Sequence, residues 1–144
     1  MHALGRSRGG YGTKACVICD AAGRALGFVL LPGQASELKA APALLAAAVT
    51  LGRVLRVVCD RGYSSAAWRD MIRRAGAEPV VPNQPTHPPV EHDRAAYRRR
   101  HKVENLWAKL KEQRAVATRY EKTAASFLGN LNLAASLSWL SNRP

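Results

Sequence analysis

Residues 53–82, "RVLRVVCDRGYSSAAWRDMIRRAGAEPVVP", hold the pattern that decides the fold. The opening "RVLRVVCD" is a β-branched run ending in an acid, the pattern of a central strand that stops at a site, with Asp60 at its carboxyl end. "SSAAWRDMIRRAGA" then supplies a serine N-cap, helical spacing of apolar residues and a glycine stop, and "EPVVP" reads as a short strand. Strand, helix and strand in this order predict a βαβ crossover, and so an α/β chain.

Working outward toward the start, "TKACVICD" and "ALGFVLLPG" read as two strands around "DAAGR", whose Asp20 and Gly23 carry turn chemistry, which predicts a hairpin. Residues 1–13, Gly- and Arg-rich, read as a flexible basic leading segment. "SELKAAPALLAAAVTLG" predicts an Ala-rich helix with Ser36 as N-cap, Pro42 as an early irregularity and Gly52 at its end. Toward the other end, residues 82–93 are rich in proline and lack periodicity, so a surface loop is expected. A helical pattern runs from Asp93 to roughly Thr118, and a closing helix over "TAASFLGNLNLAASLSWLSN" places Phe127, Leu131, Ala134 and Leu137 at core spacing. All 144 residues are expected to form a single domain.

Lys and Arg number 22 against 10 Asp and Glu, a formal net charge of +12. Such a surface attracts a polyanion, with nucleic acid first. No stretch reaches the ~18 apolar residues of a membrane span, and the leading residues lack the apolar core of a secretion signal, so the expected location is the cytoplasm. Cys16 and Cys19 have the spacing of a metal knuckle, but on a strand residues three apart point to opposite faces and no second ligand pair follows. With Cys59 they read as plain buried thiols. The few aromatic residues form no stacking platform, which argues against a single-stranded RNA-binding module.

"YRRRHKVENLWAKLK", residues 97–111, sets a lone glutamate among cations. At 100° per residue on one continuous helix, Arg100, Glu104 and Lys111 fall within about 60° of Tyr97. Val103, Leu106, Trp107 and Leu110 form an apolar arc roughly 100° away, which leaves Glu104 partly sheltered at the flank of the buried face. On spacing alone Glu104 reads as a partner in i, i+4 ion pairs, and Asp60 as a turn residue or helix cap. The other reading takes both as ligands of a hard cation, since ligands gather at the carboxyl ends of parallel strands.

The spaced residues Tyr97, Arg100, Glu104 and Lys111 spell Y-x2-R-x3-E-x6-K, and this resembles the signature of DDE transposases of bacterial insertion sequences. "VVCDRGYSS" resembles that family's block around its second catalytic Asp, and the similarity extends over nearly the whole chain. The resemblance implies an RNase H-like mixed sheet flanked by helices, with Asp60 and Glu104 as catalytic metal ligands for Mg2+ or Mn2+. It implies that Arg100 and Lys111 steady DNA phosphates and that Tyr97 orients a strand end. The implied activity is metal-dependent DNA strand cleavage and strand transfer on double-stranded DNA, at transposon ends and target. The family's first catalytic Asp lies on a strand upstream of the Gly/Arg-rich segment, and Asp20 sits in a turn and does not replace it. The resemblance therefore implies the downstream part of the catalytic domain, lacking the first strand, and assembly as a homo-oligomer or with an upstream transposase segment. The alternative is a catalytically inactive DNA-binding fragment or regulator derived from a transposase.

The positive charge is spread over helix and leading segment and no base-reading module stands out, so duplex DNA should be held through its phosphates. Fluorescence anisotropy with labelled duplexes should show affinity falling roughly a hundredfold or more between about 50 and 200 mM salt, with little preference among base sequences.

Overall fold

The computed structural model describes residues 5–7, 10–119 and 121–141. The chain comprises two compact units, Met1–Ala35 with Lys102–Pro144, and Ser36–His101. The described residues are mixed α and β, with a three-stranded and a two-stranded sheet.

In the first unit, β1 (Gly5–Ser7), β2 (Gly10–Cys19) and β3 (Ala25–Pro32) form an antiparallel sheet in that order. Strand pairing at Gly5–Ser7 and from Gly10 onward falls within the leading segment read from sequence as irregular. The predicted hairpin is present, with Thr13 opposite Pro32 and Ile18 opposite Gly27, and a slip at Ile18/Cys19 sets Cys19 opposite Ala25. Its turn is built by Asp20. One carboxylate oxygen accepts from the Ala22 and Arg24 amides at 2.9 Å each, and the other pairs with the Arg24 guanidinium at 2.7 Å. Partial burial works to raise the Asp20 pKa, but the hydrogen bonds and charge of Arg24 together outweigh it and hold the carboxyl below its ordinary range. Gly23 takes the positive φ of 82° that closes the turn without a Cβ penalty.

Three helices complete this unit: α4 (His101–Lys111), α5 (Arg114–Thr118) and α6 (Ala124–Ser141). Thr123 opens α6, its hydroxyl accepting from the Ser126 amide at 3.1 Å. Leu106, Leu110, Val116, Phe127, Leu131, Ala134 and Ala135 bury together with Ala25, and Ala15, Val17, Phe28 and Leu30 of the sheet pack against them. Alternate residues of β2 and β3 thus supply one face of the core. Trp139 donates its indole N–H to the Ala25 carbonyl at 2.8 Å and carries the Arg24 guanidinium over its ring at 4.1 Å. Leu137, expected in the core, is 48 % exposed. At 3.6 residues per turn the buried stripe through Phe127 and Leu131 drifts onto Ala135, which leaves Leu137 about 100° off it.

In the second unit, a 3-10 turn at Glu37–Lys39 leads into α1 (Ala41–Leu51). Ser36, expected as an N-cap, makes no side-chain cap bond. The α-helix starts later because Pro42 has no N–H to donate and fits only in a first turn. The predicted crossover follows: β4 (Arg56–Val58), a 3-10 turn (Arg61–Tyr63), α2 (Ala66–Arg74) and β5 (Glu78–Val80). β4 and β5 are parallel, with Val57 opposite Pro79 and Val58 opposite Val80. Ser65 caps α2 through the Trp68 amide, and Gly76 ends it at φ 80°. Trp68 and Ile72 on α2 bury against Val57, Ala77 and Val81 and against Ala41 and Leu45 of α1, which pins the helix over the strands. Residues 81–93 contain neither helix nor strand, and α3 (Arg94–Arg98) follows.

Leu131 is fully enclosed and Leu137 is not, so the two leucines should respond differently to truncation. Leu131→Ala should lower unfolding free energy by about 2–4 kcal/mol and Leu137→Ala by less than about 1 kcal/mol, read from urea unfolding followed by circular dichroism.

Candidate active site

Asp60 lies two residues beyond the end of β4. The preceding residue extends the parallel pairing, its amide donating to the Val80 carbonyl at 3.1 Å, so the acid emerges at the carboxyl end of the strand pair. Asp60 is extended and half-buried, and it caps the 3-10 turn Arg61–Tyr63: its Oδ1 accepts from the Gly62 amide at 2.8 Å. The backbone closes the same turn, with the Tyr63 amide donating to the Asp60 carbonyl at 3.1 Å. A Cβ on residue 62 would stand 2.9 Å from Asp60 Oδ1 and 3.5 Å from Glu37 Oε2, so glycine lets two carboxylates approach one backbone position. Beside the acid, burial drives the Cys59 thiol up to about 11, the Trp68 N–H opposes the shift and Asp60 adds to it, which keeps the sulfur a neutral core group.

The turn is tied from behind by a side chain that the sequence reading passed over. Arg69 of α2 is only 6 % exposed. Its Nε donates to the Val81 carbonyl at 2.9 Å, and its Nη2 donates to Asn83 Oδ1 at 2.6 Å and reaches Ser64 Oγ at 3.5 Å. Ser64 in turn donates to Asn83 Oδ1 at 2.9 Å, and Gln84 donates to the Arg61 carbonyl at 2.7 Å. Among the described residues no carboxylate pairs with Arg69, and burial, followed by the charge of Arg73, lowers its pKa. The only sequence signal was negative: an arginine on the helix face that also carries Ile72 and Trp68 has to be buried.

Tyr97 lies on α3, whose start is capped by Asp93 through the Ala96 amide at 2.9 Å, and its ring meets His92 edge-on at 5.4 Å. That hydrogen bond, with lesser help from Arg56 and Arg99, holds the Asp93 carboxyl below its ordinary range. Arg100 is half-buried in the turn after α3. Glu104 and Lys111 lie on α4, seven residues and so about two turns apart on one stripe. Asp60, Tyr97 and Arg100 therefore belong to the second unit, and Glu104 and Lys111 to the first.

Two expectations need correction. The continuous helix from Asp93 to Thr118 is interrupted at Arg99–Arg100 and again before Arg114, so Tyr97 and Arg100 are not on the helix that carries Glu104. At the first break the Arg99 and Arg100 amides donate three residues back, and His101 Nδ1 sits 2.8 Å from the Arg98 carbonyl, which a continuing helix would need. Repulsion among Arg98, Arg99, Arg100 and Lys102 opposes continuation as well. Glu104, expected to be partly sheltered, is exposed. The buried face of α4 centres on Leu106 and Leu110 alone, roughly 140° from the glutamate.

A family model described as the transposase DDE domain matches residues 57–141, a span that holds Asp60, Tyr97, Arg100, Glu104 and Lys111. A protein of Brucella ovis named as a transposase for insertion sequence element IS6501 is 32 % identical over 132 residues, covering 89 % of this chain and 98 % of that relative. This chain belongs to the DDE transposases of insertion sequences. No solved structure matches it at a significant level. In this transposase chain the divalent-ion chemistry of such domains calls for hard oxygen donors. Asp60 and Glu104 are of that type, and among the described residues no group of three His, Cys, Asp or Glu side chains gathers around one point.

Because Asp60 serves as a cap as well as a candidate ligand, substitutions there have two effects. Asp60→Asn keeps an acceptor for the Gly62 amide and should leave stability within about 0.5 kcal/mol, whereas Asp60→Ala should cost about 1 kcal/mol. Chemical denaturation of the two variants checks this and selects the one suited to functional tests.

Proposed function

We propose that this chain is the downstream part of the catalytic domain of an insertion-sequence transposase with an RNase H-like fold, and that Asp60 and Glu104 together hold a magnesium or manganese ion. The observation that carries the reading is the family match over residues 57–141, within which Asp60 occupies a strand's carboxyl end and the Tyr97, Arg100, Glu104 and Lys111 spacing is complete. The strand end supports the assignment of Asp60, since ligands of parallel sheets bind there. Its second carboxylate oxygen carries no hydrogen bond among the described residues and is available to a cation.

When bound, the ion supplies an activated oxygen nucleophile and a counter-charge for the leaving oxygen at the phosphodiester. The chain's own groups act around it. Arg100 and Lys111 bind phosphate oxygens as charge-assisted donors, and Tyr97 orients a strand end. The partner is double-stranded DNA, consistent with a net charge of +12. A second ion calls for a further acid, which the reading assigns to an upstream transposase segment or to a second copy. No helix among the described residues is long and apolar enough to cross a membrane, which fits action on DNA in the cytoplasm.

One observation favours a second reading. Asp60 already has a structural task as the cap of its turn, so the acid also suits a DNA-binding fragment or regulator without catalysis. The two readings part in one experiment. The chain is mixed with the upstream transposase segment, magnesium or manganese, and a duplex carrying insertion-sequence ends. Metal-dependent nicking is expected, with Asp60→Asn and Glu104→Gln each lowering it roughly a hundredfold or more while DNA binding is retained. DNA binding without cleavage under every combination, or cleavage indifferent to both substitutions, would overturn the catalytic reading.

A further inference from the structure

We infer that Arg69 is the positioning residue for Asp60: its guanidinium, working through Ser64 and Asn83, fixes the turn that presents the acid. The inference deepens the catalytic reading of Asp60 and, for its functional consequence, rests on that reading.

A guanidinium 6 % exposed and without a carboxylate among the described residues is an expensive group, tolerated only where its donors are satisfied with good geometry. Its Nε and Nη2 donate to groups at the end of the turn and beyond the paired strand. Asp60 and Ser64 cap the two ends of the 3-10 turn Arg61–Tyr63, and Val81 and Asn83 lie just beyond β5, the strand paired with the one that delivers Asp60. Asn83 is the hub, since its Oδ1 accepts from both Arg69 and Ser64 while its Nδ2 donates to the Pro88 carbonyl at 2.6 Å. Gln84 adds a second tie, from the residue after Asn83 to the Arg61 carbonyl inside the turn.

Besides these ties the turn is held by its own backbone bonds, by the Asp60 carboxylate and by Tyr63. Arg61 and Gly62 are exposed, no residue of the turn is fully buried, and only Tyr63 leans on the core. A three-residue 3-10 turn with poor hydrogen-bond geometry and no buried side chain frays readily. Asp60 would then sample positions well over an ångström apart, more than a ligand of a divalent ion can tolerate. Arg69, set in the regular helix α2 and wedged between Trp68 and Ile72 in sequence, transfers the rigidity of that helix to the acid.

Direct removal of Arg69 risks the core, so the test cuts the network at its far end. Ser64→Ala and Asn83→Ala leave Arg69 in place, Ser64→Thr preserves the hydroxyl, and Arg73→Ala removes an exposed arginine of the same helix that pairs with Asp70. Backbone amide hydrogen exchange is followed by NMR in the full chain. With Ser64→Ala and Asn83→Ala, exchange at Tyr63 and Ser64 should speed up about tenfold, the factor for one charge-assisted hydrogen bond, while Ile72 and Val80 keep their protection. Ser64→Thr should restore the wild-type rate and Arg73→Ala should leave it unchanged. In parallel, manganese is titrated in and the paramagnetic broadening of the Gly62 amide is read. Affinity should drop by a similar factor in the two alanine variants and be lost in Asp60→Asn. Unchanged exchange at the turn, or equal acceleration at Ile72 and Val80, would overturn the positioning role. Manganese broadening at Gly62 that survives Asp60→Asn would instead overturn the reading of Asp60 as a ligand, whatever the exchange rates show.

Discussion

A buried positive charge must be surrounded by acceptors, and in the second unit that requirement falls on Arg69. Helix α2 can bring Trp68 and Ile72 into the core only by carrying the intervening arginine inward with them. The backbone carbonyl after β5, an asparagine side chain and a serine hydroxyl meet it there. Apolar packing positions the helix over the strands, and the guanidinium then fixes the loops at their ends. Packing without the polar ties would leave the crossover intact but its carboxyl-end turns loose. The strand pair itself is short, three residues on each side, and gains little from its own ladder. Its order therefore depends on what lies above it.

The first unit is ordered by other means. There an antiparallel hairpin with a self-contained turn forms from local sequence, and α6 covers one face of it with an uncharged apolar surface. Asp20 contributes nothing beyond the turn: both of its oxygens are engaged by Ala22 and Arg24, as expected for a residue whose role is to reverse the chain. Asp20 and Asp60 each hold a turn by accepting the amide two residues on. What separates them is the strand geometry around them: one closes an antiparallel hairpin, and the other follows a parallel pair at the end where ligands bind.

Much of this was legible in the amino-acid sequence where the signal is local. The crossover, its Ser65 cap and Gly76 stop, the hairpin turn and the closing helix each follow from residues within one element. What was not legible depends on competition between neighbours. Periodicity continues through Arg99 and Arg100, yet a histidine side chain takes the carbonyl that the helix needs, and crowded cations add to the break. Spacing placed Leu137 and Glu104 within reach of a core that, at the actual helical drift, turns away from both. The candidate site divides along the same line. Asp60 was visible as an acid ending a β-branched run, and the family signature marked Glu104, whereas Arg69, Asn83 and Ser64 come together only through the tertiary fold.

Gly62 has a consequence at the level of the gene. Any missense change in a glycine codon adds a side chain, and at this position the first added carbon meets the Asp60 carboxylate at 2.9 Å and finds Glu37 close behind. The acid must then turn away and give up its bond to the amide. Most surface codons of an exposed turn drift freely, but this one admits no amino-acid replacement without disturbing the neighbouring acid. In a mobile element whose copies accumulate mutations independently, a replaced Gly62 codon marks a copy in which the Asp60 carboxylate has been displaced.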